Sequence, residues 1–137
     1  MAAKVCRVEY FYATIKDRPG EAYQLLNQLA AAKVNLLAFS AIPLGPETTQ
    51  LALFPEDTNP LTRAAEHTGT VLTGPHRAFI VFGDDELGAF AGIHMKLADA
   101  RVNVYASSGV TDGRGGYGYV LYVRPEDYER AAHVLKV

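Results

Sequence analysis

Three residues near the start of the chain have the types and spacing that suit recognition of a small zwitterion. Asp17 offers a carboxylate for an ammonium group, and Asn35 offers both a hydrogen-bond donor and an acceptor. Gly20 lies at the start of a predicted helix, where unpaired N–H groups and the positive end of the helix dipole attract a carboxylate. Because glycine has no Cβ, a ligand can approach this backbone closely. An amino acid carries both charges and needs this mixture of groups.

Each of these residues also has a purely structural interpretation. Asp17 can organise the turn, Gly20 can be required for backbone shape, and Asn35 can accommodate an unusual backbone angle at a helix-to-strand junction. Both interpretations predict that the pattern returns wherever the chain repeats. Repetition therefore does not decide between them.

The chain contains an internal repeat that duplicates this pattern. Residues 17–40 align without a gap with residues 85–108, and nine of the 24 pairs are identical. Asp85, Gly88 and Asn103 fall at the three positions described above. Farther along, the offset between the repeats rises from 68 to 70 residues, which indicates two extra residues in the second hairpin loop.

The elements that position these residues follow from hydrophobic periodicity. Ala22, Leu25, Leu26 and Leu29 recur at the spacing of one helix face, and runs of β-branched and aromatic residues predict strands. The predicted elements of the first repeat are strand Val5–Ile15, a helix after Gly20, strand Val34–Ile42, strand Thr48–Phe54, helix Pro60–His67 and strand Gly69–Thr73.

The second repeat is predicted to follow the same order without a complete last strand. Its elements are strand Arg77–Phe82, helix Glu86–Asp99, strand Val102–Gly109, strand Tyr117–Val123 and helix Pro125–Leu135. Because two residues remain, the fourth strand is either missing or supplied from elsewhere. The sequence therefore predicts an α+β fold, a ferredoxin-like βαββαβ sandwich that is duplicated, with one unit in residues 1–74 and the other in residues 75–137.

The first strand of each repeat is apolar on both faces, over residues 10–12 and 78–82. A two-layer sheet with one wet face is expected to alternate instead. We therefore expect part of the helix-free face to be covered, by the other unit or by a second chain. The alternative is a face that stays exposed with its tyrosine hydroxyls in water.

Composition excludes several classes of protein. The 13 basic and 15 acidic residues lack the positive excess typical of non-specific nucleic-acid binding. The one cysteine excludes a disulfide framework, and the four histidines lack metal-ligand spacing. No segment resembles a signal peptide or a membrane span. We expect a cytoplasmic protein with no metal, no cofactor, no nucleic-acid partner and no membrane partner.

Two further features receive structural interpretations. His94 lies on the apolar stripe of the second repeat's first helix and is predicted to be a hydrogen-bonded histidine at the edge of the core. The glycine-rich segment 111–119 joins two strands, whereas phosphate-binding loops join a strand to a helix. This segment is therefore predicted to be a hairpin loop.

The motif Asp17-Arg18-Pro19-Gly20, followed by a helix and then Asn35-Leu36, resembles the ACT domain, a small ligand-binding regulatory module of amino-acid metabolism. The second repeat is similar, with Asp85-Glu86-Leu87-Gly88 and Asn103, but it lacks the proline. The resemblance covers nearly the whole chain. It implies a stand-alone tandem ACT protein.

The resemblance also implies where a ligand binds. In the serine-binding ACT domain of phosphoglycerate dehydrogenase, the strand-to-helix loop and an asparagine that opens the next strand hold the amino acid. Ile15 and Gly83 replace the loop histidine of that protein, so serine itself is not implied. Carried over, the resemblance implies a site at the junction between units, formed by Asp17, Arg18, Pro19, Gly20, Asn35, Leu36, Asp85, Glu86, Gly88 and Asn103.

These observations favour a non-catalytic regulatory protein that binds an amino acid and acts within a homodimer or on a target enzyme. A second hypothesis is a ligand-free protein–protein interaction or oligomerisation module. A third is a small ferredoxin-like enzyme, which the fold does not exclude. This third hypothesis lacks a recognisable catalytic set, because the sequence has only scattered histidines and acidic residues.

Overall fold

A computed structural model describes residues 3–137. Its elements in chain order are β1 (Lys4–Lys16), α1 (Glu21–Ala31), β2 (Leu36–Pro43), β3 (Thr48–Pro55), α2 (Thr58–Thr68), β4 (Thr73–Asp84), α3 (Ala89–Asp99), β5 (Val104–Thr111), β6 (Gly116–Val123) and α4 (Tyr128–Leu135). A 3-10 turn, Pro125–Asp127, precedes α4. Within the described part of the chain, every helix is too short or too polar to cross a membrane.

The chain divides into two compact units, and β1 and β4 each contribute to both. The first unit is Glu9–His76, and the second combines residues 3–8 with Arg77–Val137. The strand order is β2-β3-β1-β4 in the first unit and β5-β6-β4-β1 in the second. Each unit is thus a βαββαβ sandwich, and the predicted duplicated ferredoxin-like fold is confirmed. The proposed boundaries 1–74 and 75–137, whose first two residues lie outside the described range, stay a prediction.

The last strand of the second unit is supplied by the beginning of β1. Val5 packs against the core of this unit. Arg7 donates hydrogen bonds of 2.9 Å to both carboxylate oxygens of Glu129 in α4. Of the two possibilities left open by the sequence, the strand supplied from elsewhere is therefore the correct one.

The prediction of a strand at Gly69–Thr73 is wrong. Residues 69–72 are irregular, and the last strand of the first unit is the beginning of β4, Thr73–His76. Gly74 and Pro75 look like a boundary in the sequence, but both lie inside β4. A Cβ on Gly74 would stand 2.9 Å from the carbonyl oxygen of Tyr10, so glycine permits the close approach of β4 to β1 here.

The core of the first unit forms where α1 and α2 pack on β1 and β3. Leu25 and Leu29 of the predicted helix stripe are buried there together with Phe11. On the opposite face of the sheet, Tyr10 stacks on Phe54 with ring centroids 4.9 Å apart. These two rings are 4% and 1% exposed, so this part of the helix-free face is buried, and what covers it stays a prediction.

The core of the second unit forms where α3 and α4 pack on β4 and β6. Phe79 stacks on Tyr128 at 4.4 Å, and the Tyr128 hydroxyl donates to the carbonyl oxygen of Ala78 at 3.1 Å. The first helix of this unit begins at Ala89 and not at Glu86, because the intervening residues form the turn that leads into it. The last helix likewise begins only after the 3-10 turn.

Candidate functional site

The strand-to-helix turns of the two units have the same backbone form. Gly20 and Gly88 are the N-caps of α1 and α3, with φ of 88° and 80°. This left-handed conformation favours glycine, so the interpretation of these residues by backbone shape is correct. A Cβ at either position would meet no described atom within 4 Å. The space above both helix starts is therefore open to a ligand as well.

Backbone hydrogen bonds hold both turns, and the aspartate side chains do not contribute. The N–H of Asp17 donates to the carbonyl oxygen of Glu47 at 2.9 Å, and the N–H of Asp85 donates to that of Gly115 at 2.8 Å. Neither carboxylate of the two aspartates accepts a hydrogen bond from a residue that the structure describes. Both are exposed, which leaves them available to a ligand.

The two turns differ in charge. Arg18 donates through Nε to Oε1 of Glu21 at 3.1 Å, so the first turn holds its own ion pair beside the exposed Pro19. Pro19 comes before the N-cap and is not the first helical residue. The second turn has Glu86 at the position of Arg18 and no such pair. It is therefore the more acidic of the two.

A cleft of about 440 Å³ lies beside the second turn. Its volume lies within the range of ligand sites in proteins. The cleft brings three predicted site residues, Asp85, Glu86 and Gly88, together with residues that no sequence motif marks. Its lining is Asp85, Glu86, Leu87, Gly88, Ala89, Phe90, Ala91, Thr111 and Tyr117.

The cleft offers hydrogen-bond donors next to these carboxylates. The N–H of Ala89 donates to the carbonyl oxygen of Glu86 at 3.2 Å. The N–H groups of Phe90 and Ala91 find no acceptor in the described part of the chain, as is normal for the first turn of a helix. Burial, and after it the charges of Glu86 and a second carboxylate, raise the pKa of Tyr117, which keeps its hydroxyl protonated as a further donor.

Phe90 is a wall of the cleft that the second unit holds in place. Its ring stacks on Tyr119 at 4.1 Å and meets Tyr117 edge-on at 5.0 Å. Nε2 of His94 lies 2.6 Å from the Tyr119 hydroxyl, which donates to Oγ of Ser107 at 3.0 Å. His94 is thus a hydrogen-bonded histidine at the core edge, as predicted.

The β5–β6 hairpin loop lies next to the second turn, to which Gly115 is bonded. The predicted hairpin is confirmed, and Asp112 shapes it by accepting the N–H of Arg114 at 2.6 Å and that of Gly116 at 3.0 Å. These two hydrogen bonds, the Arg114 bond most of all, lower the pKa of Asp112.

Asn35 and Asn103 do not occupy strained backbone. The left-handed residues at the helix-to-strand junctions are Lys33 and Arg101, with φ of 64° and 60°, two positions earlier. The interpretation of the asparagines by backbone angle is therefore wrong. Asn35 instead donates through Nδ2 to Oε2 of Glu56 at 2.7 Å and ties the start of β2 to the end of β3.

The asparagines lie far from the turns of their own units. Gly20 begins α1 and Asn35 follows its other end, and a helix of 11 residues is about 16 Å long. Leu36 packs against the core of the first unit. Asn103 is exposed, and its side chain has no hydrogen-bond partner among residues 3–137. Within one unit, the structure therefore does not bring the predicted asparagine and aspartate together.

A second cleft, of about 420 Å³, lies in the first unit between α1 and the ends of β1 and α2. Thr14, Gln24, Gln28 and Thr70 contribute hydroxyl and amide groups to its lining. It flanks the first turn, because Ile15 and Glu21 on either side of that turn also line it. Its lining contains none of the predicted site residues.

Together these features define a class of protein, a duplicated βαββαβ sandwich with an open cleft beside a glycine-capped helix start. The structure is similar to that of protein BT0572 from Bacteroides thetaiotaomicron, with a TM-score of 0.80 and 16% identity over 98% of this chain and 88% of that chain. It is also similar to the regulatory subunit of aspartate kinase from Thermus thermophilus, with a TM-score of 0.67 and 16% identity over 98% of this chain and 94% of that chain.

The corresponding subunit from Thermus flavus matches with a TM-score of 0.63 and 16% identity over 98% of this chain and 94% of that chain. No protein-family model and no curated protein matches the sequence. The comparisons therefore establish the fold, which is the one that the ACT resemblance implies.

Proposed function

We propose that this protein is a non-catalytic regulatory module that binds an amino acid in the cleft of the second unit. The observation that carries the proposal is the set of groups in that cleft. The free N–H groups of Phe90 and Ala91 suit a carboxylate, the Asp85 carboxylate suits an ammonium group, and the Tyr117 hydroxyl donates one more hydrogen bond. A zwitterion matches all three.

The similar structures support the regulatory part of this proposal. Two of them are regulatory subunits of aspartate kinase, proteins that are named for control of an enzyme and not for catalysis. By analogy, binding here changes the state of a target enzyme or of a homodimer. A ligand position at the junction between units, with Asn35 and Asn103 as contacts, stays a prediction, and so does a cytoplasmic location.

A thermal-shift screen of the amino acids, followed by calorimetry, tests the proposal. A ligand that binds only the folded chain raises Tm, and the stabilisation grows with the logarithm of its concentration relative to Kd. We expect at least one amino acid to raise Tm at about 10 mM. Asp85→Asn is expected to weaken binding about tenfold or more, because an ammonium group loses its charged partner.

Asp99→Asn is the matched control, because Asp99 is an exposed carboxylate at the far end of α3. It is expected to bind as the wild type does. If no amino acid raises Tm, or if Asp85→Asn and Asp99→Asn bind equally well, the proposal is wrong.

One observation favours the second candidate function, a ligand-free interaction module. β2 and the turn after it expose Leu37, Phe39, Ile42 and Leu44. An uncharged edge strand of this kind is suited to pair with another chain. Light scattering of the ligand-free protein is then expected to show a dimer that Phe39→Lys dissociates. A ligand-free monomer contradicts this candidate.

A further inference from the structure

In the second unit, the Arg130 side chain completes the end of a helix. Arg130 projects from α4 and donates through Nε to the carbonyl oxygen of Ala100, and through Nη2 to that of Arg101, both at 3.1 Å. Nη2 also lies 2.7 Å from Oδ1 of Asp127. The last carbonyls of a helix have no partner within it, and the helix dipole favours a cation there. The guanidinium group satisfies both requirements.

The first unit has the same backbone at the end of α1, where Lys33 is left-handed as Arg101 is after α3, but it has no arginine at this place. The helices α2 and α4 begin at equivalent residues of the repeat, and Pro60 stands where the second unit has Arg130. Proline has no side-chain donor. The carbonyl oxygens of Ala32 and Lys33, equivalent to the two that Arg130 binds, accept no hydrogen bond from a residue within 3–137.

A groove of about 540 Å³ lies between α1 and α2 at this position. Ala32 and Pro60 line it, and Ala31 and Ala64 contribute an apolar floor. Its volume is larger than a guanidinium group alone fills. The groove therefore has room for a charged head at the helix end and for a methylene stem on the alanines.

We infer that this groove receives an arginine side chain from a partner protein, whose guanidinium group takes the place that Arg130 fills in the second unit. The acceptors are the carbonyl oxygens of Ala32 and Lys33. Asp57 aligns with Asp127 in the repeat, but its Oδ1 caps α2 by accepting the N–H of Asn59 at 3.1 Å, so it adds negative charge near the helix start and not the direct bond that Asp127 makes. Planar guanidinium presents several donors in fixed directions, as this set requires.

The basic residues near the groove are compatible with such a partner. Arg63 lines the groove, and the exposed Lys33 follows Ala32 in the chain. In the second unit, Arg130 binds directly to the backbone of Arg101, another basic residue. A guanidinium group is thus held at a helix end of this protein in the presence of a basic neighbour.

Titration with N-acetyl-L-arginine N-methylamide, followed by amide NMR shifts, tests the inference. We expect saturable shifts confined to residues 31–33 and 57–64. The citrulline analogue has nearly the same shape but no charge, and it is expected to bind at least about tenfold more weakly. Equal binding of the two compounds, or arginine shifts that lie elsewhere, would overturn the inference.

Three variants sharpen the test. Pro60→Arg is expected to occupy the groove from within the chain, to abolish the titration and to raise Tm above that of the control variant Pro60→Ala, which also removes the proline. Arg130→Ala is expected to gain a second set of arginine-dependent shifts at residues 100–102. The inference is contradicted if Pro60→Arg shows the same arginine-dependent shifts as the wild type, or if Arg130→Ala shows no new shifts at residues 100–102.

Discussion

Gly109 on β5 is expected to be intolerant of a single added methyl group. A Cβ there would stand 2.8 Å from Cζ of Phe90 and 2.8 Å from Cδ1 of Tyr119. Ordinary carbon contacts are about 3.5–4.0 Å long, so each of the two rings, or β5 itself, must shift by about 0.7 Å. The Phe90 ring can change its rotamer, but Tyr119 is buried and its hydroxyl is hydrogen-bonded to His94. Overpacking of this kind costs about 1–3 kcal/mol.

Urea unfolding of Gly109→Ala measures this cost. The chain has no tryptophan, so circular dichroism and tyrosine fluorescence are the signals. With m near 2 kcal/mol/M, the midpoint is expected to fall by about 0.5–1.5 M while m stays unchanged. Because Phe90 lines the cleft, amino-acid binding is expected to weaken as well.

Gly92→Ala is the matched control, because Gly92 lies inside α3 and an added Cβ there meets no described atom within 4 Å. Alanine in a helix interior is favoured by about 0.5–1 kcal/mol over glycine, so this variant is expected to be more stable than the wild type. A Gly109→Ala variant as stable as the wild type would refute the close packing around Phe90.

Three other perturbations have defined outcomes. The pKa of Tyr117 is raised in the folded chain, so the stability that this group contributes is present below its unfolded pKa near 10.0 and is lost as pH rises through the folded value. In urea titrations above pH 10.0, Tyr117→Phe should therefore lose less stability than the wild type. An equal loss in the two proteins refutes this. The pKa of Asp112 is lowered from 3.8, chiefly by the Arg114 N–H, so the contribution of this carboxylate to folding stability is present above that value and is lost at lower pH. Asp112→Ala removes the acceptor of the Arg114 N–H and should speed hydrogen exchange of that amide. Unchanged exchange contradicts this. His94→Leu, which removes one of the two hydrogen-bond partners of the Tyr119 hydroxyl and leaves Ser107, should reduce the free energy of unfolding by about 1 kcal/mol, and this difference should be absent in the Tyr119→Phe background of a double-mutant cycle.

The sequence was sufficient to predict the duplicated fold because the signals that define it are local. The stripe with Leu25 and Leu29 predicts α1, and the alignment of the repeats extends its βαββαβ order to the second half. The ends of β4 were not predictable in the same way. Gly74 and Pro75 are typical turn residues, and their position inside a strand beside Tyr10, more than 60 residues away in sequence, is not marked by either residue.

The backbone turn of the candidate site was predictable from the sequence, but the side chains that line its cleft were not. Gly88 marks a left-handed helix cap, which a local motif can indicate. Phe90 and Tyr117 meet only after the β5–β6 hairpin folds against the start of α3, and no spacing in the sequence reports that distance. Asn35 shows that a motif match does not fix a position, because its side chain bonds to Glu56 and lies at the opposite end of α1 from Gly20.

The division of β1 between the two units has a consequence for the order in which the chain folds during synthesis. Arg7 and Glu129 are 122 residues apart in sequence, so at about 5–20 residues per second the ribosome adds the second about 6–24 s after the first. The first unit, Glu9–His76, is complete well before that time. Until Arg77–Val137 is synthesised, residues 3–8 have no strand to pair with, and their unpaired backbone groups can form hydrogen bonds with a neighbouring nascent copy. We therefore expect the yield of correctly folded monomeric chains to be sensitive to the rate of translation beyond His76.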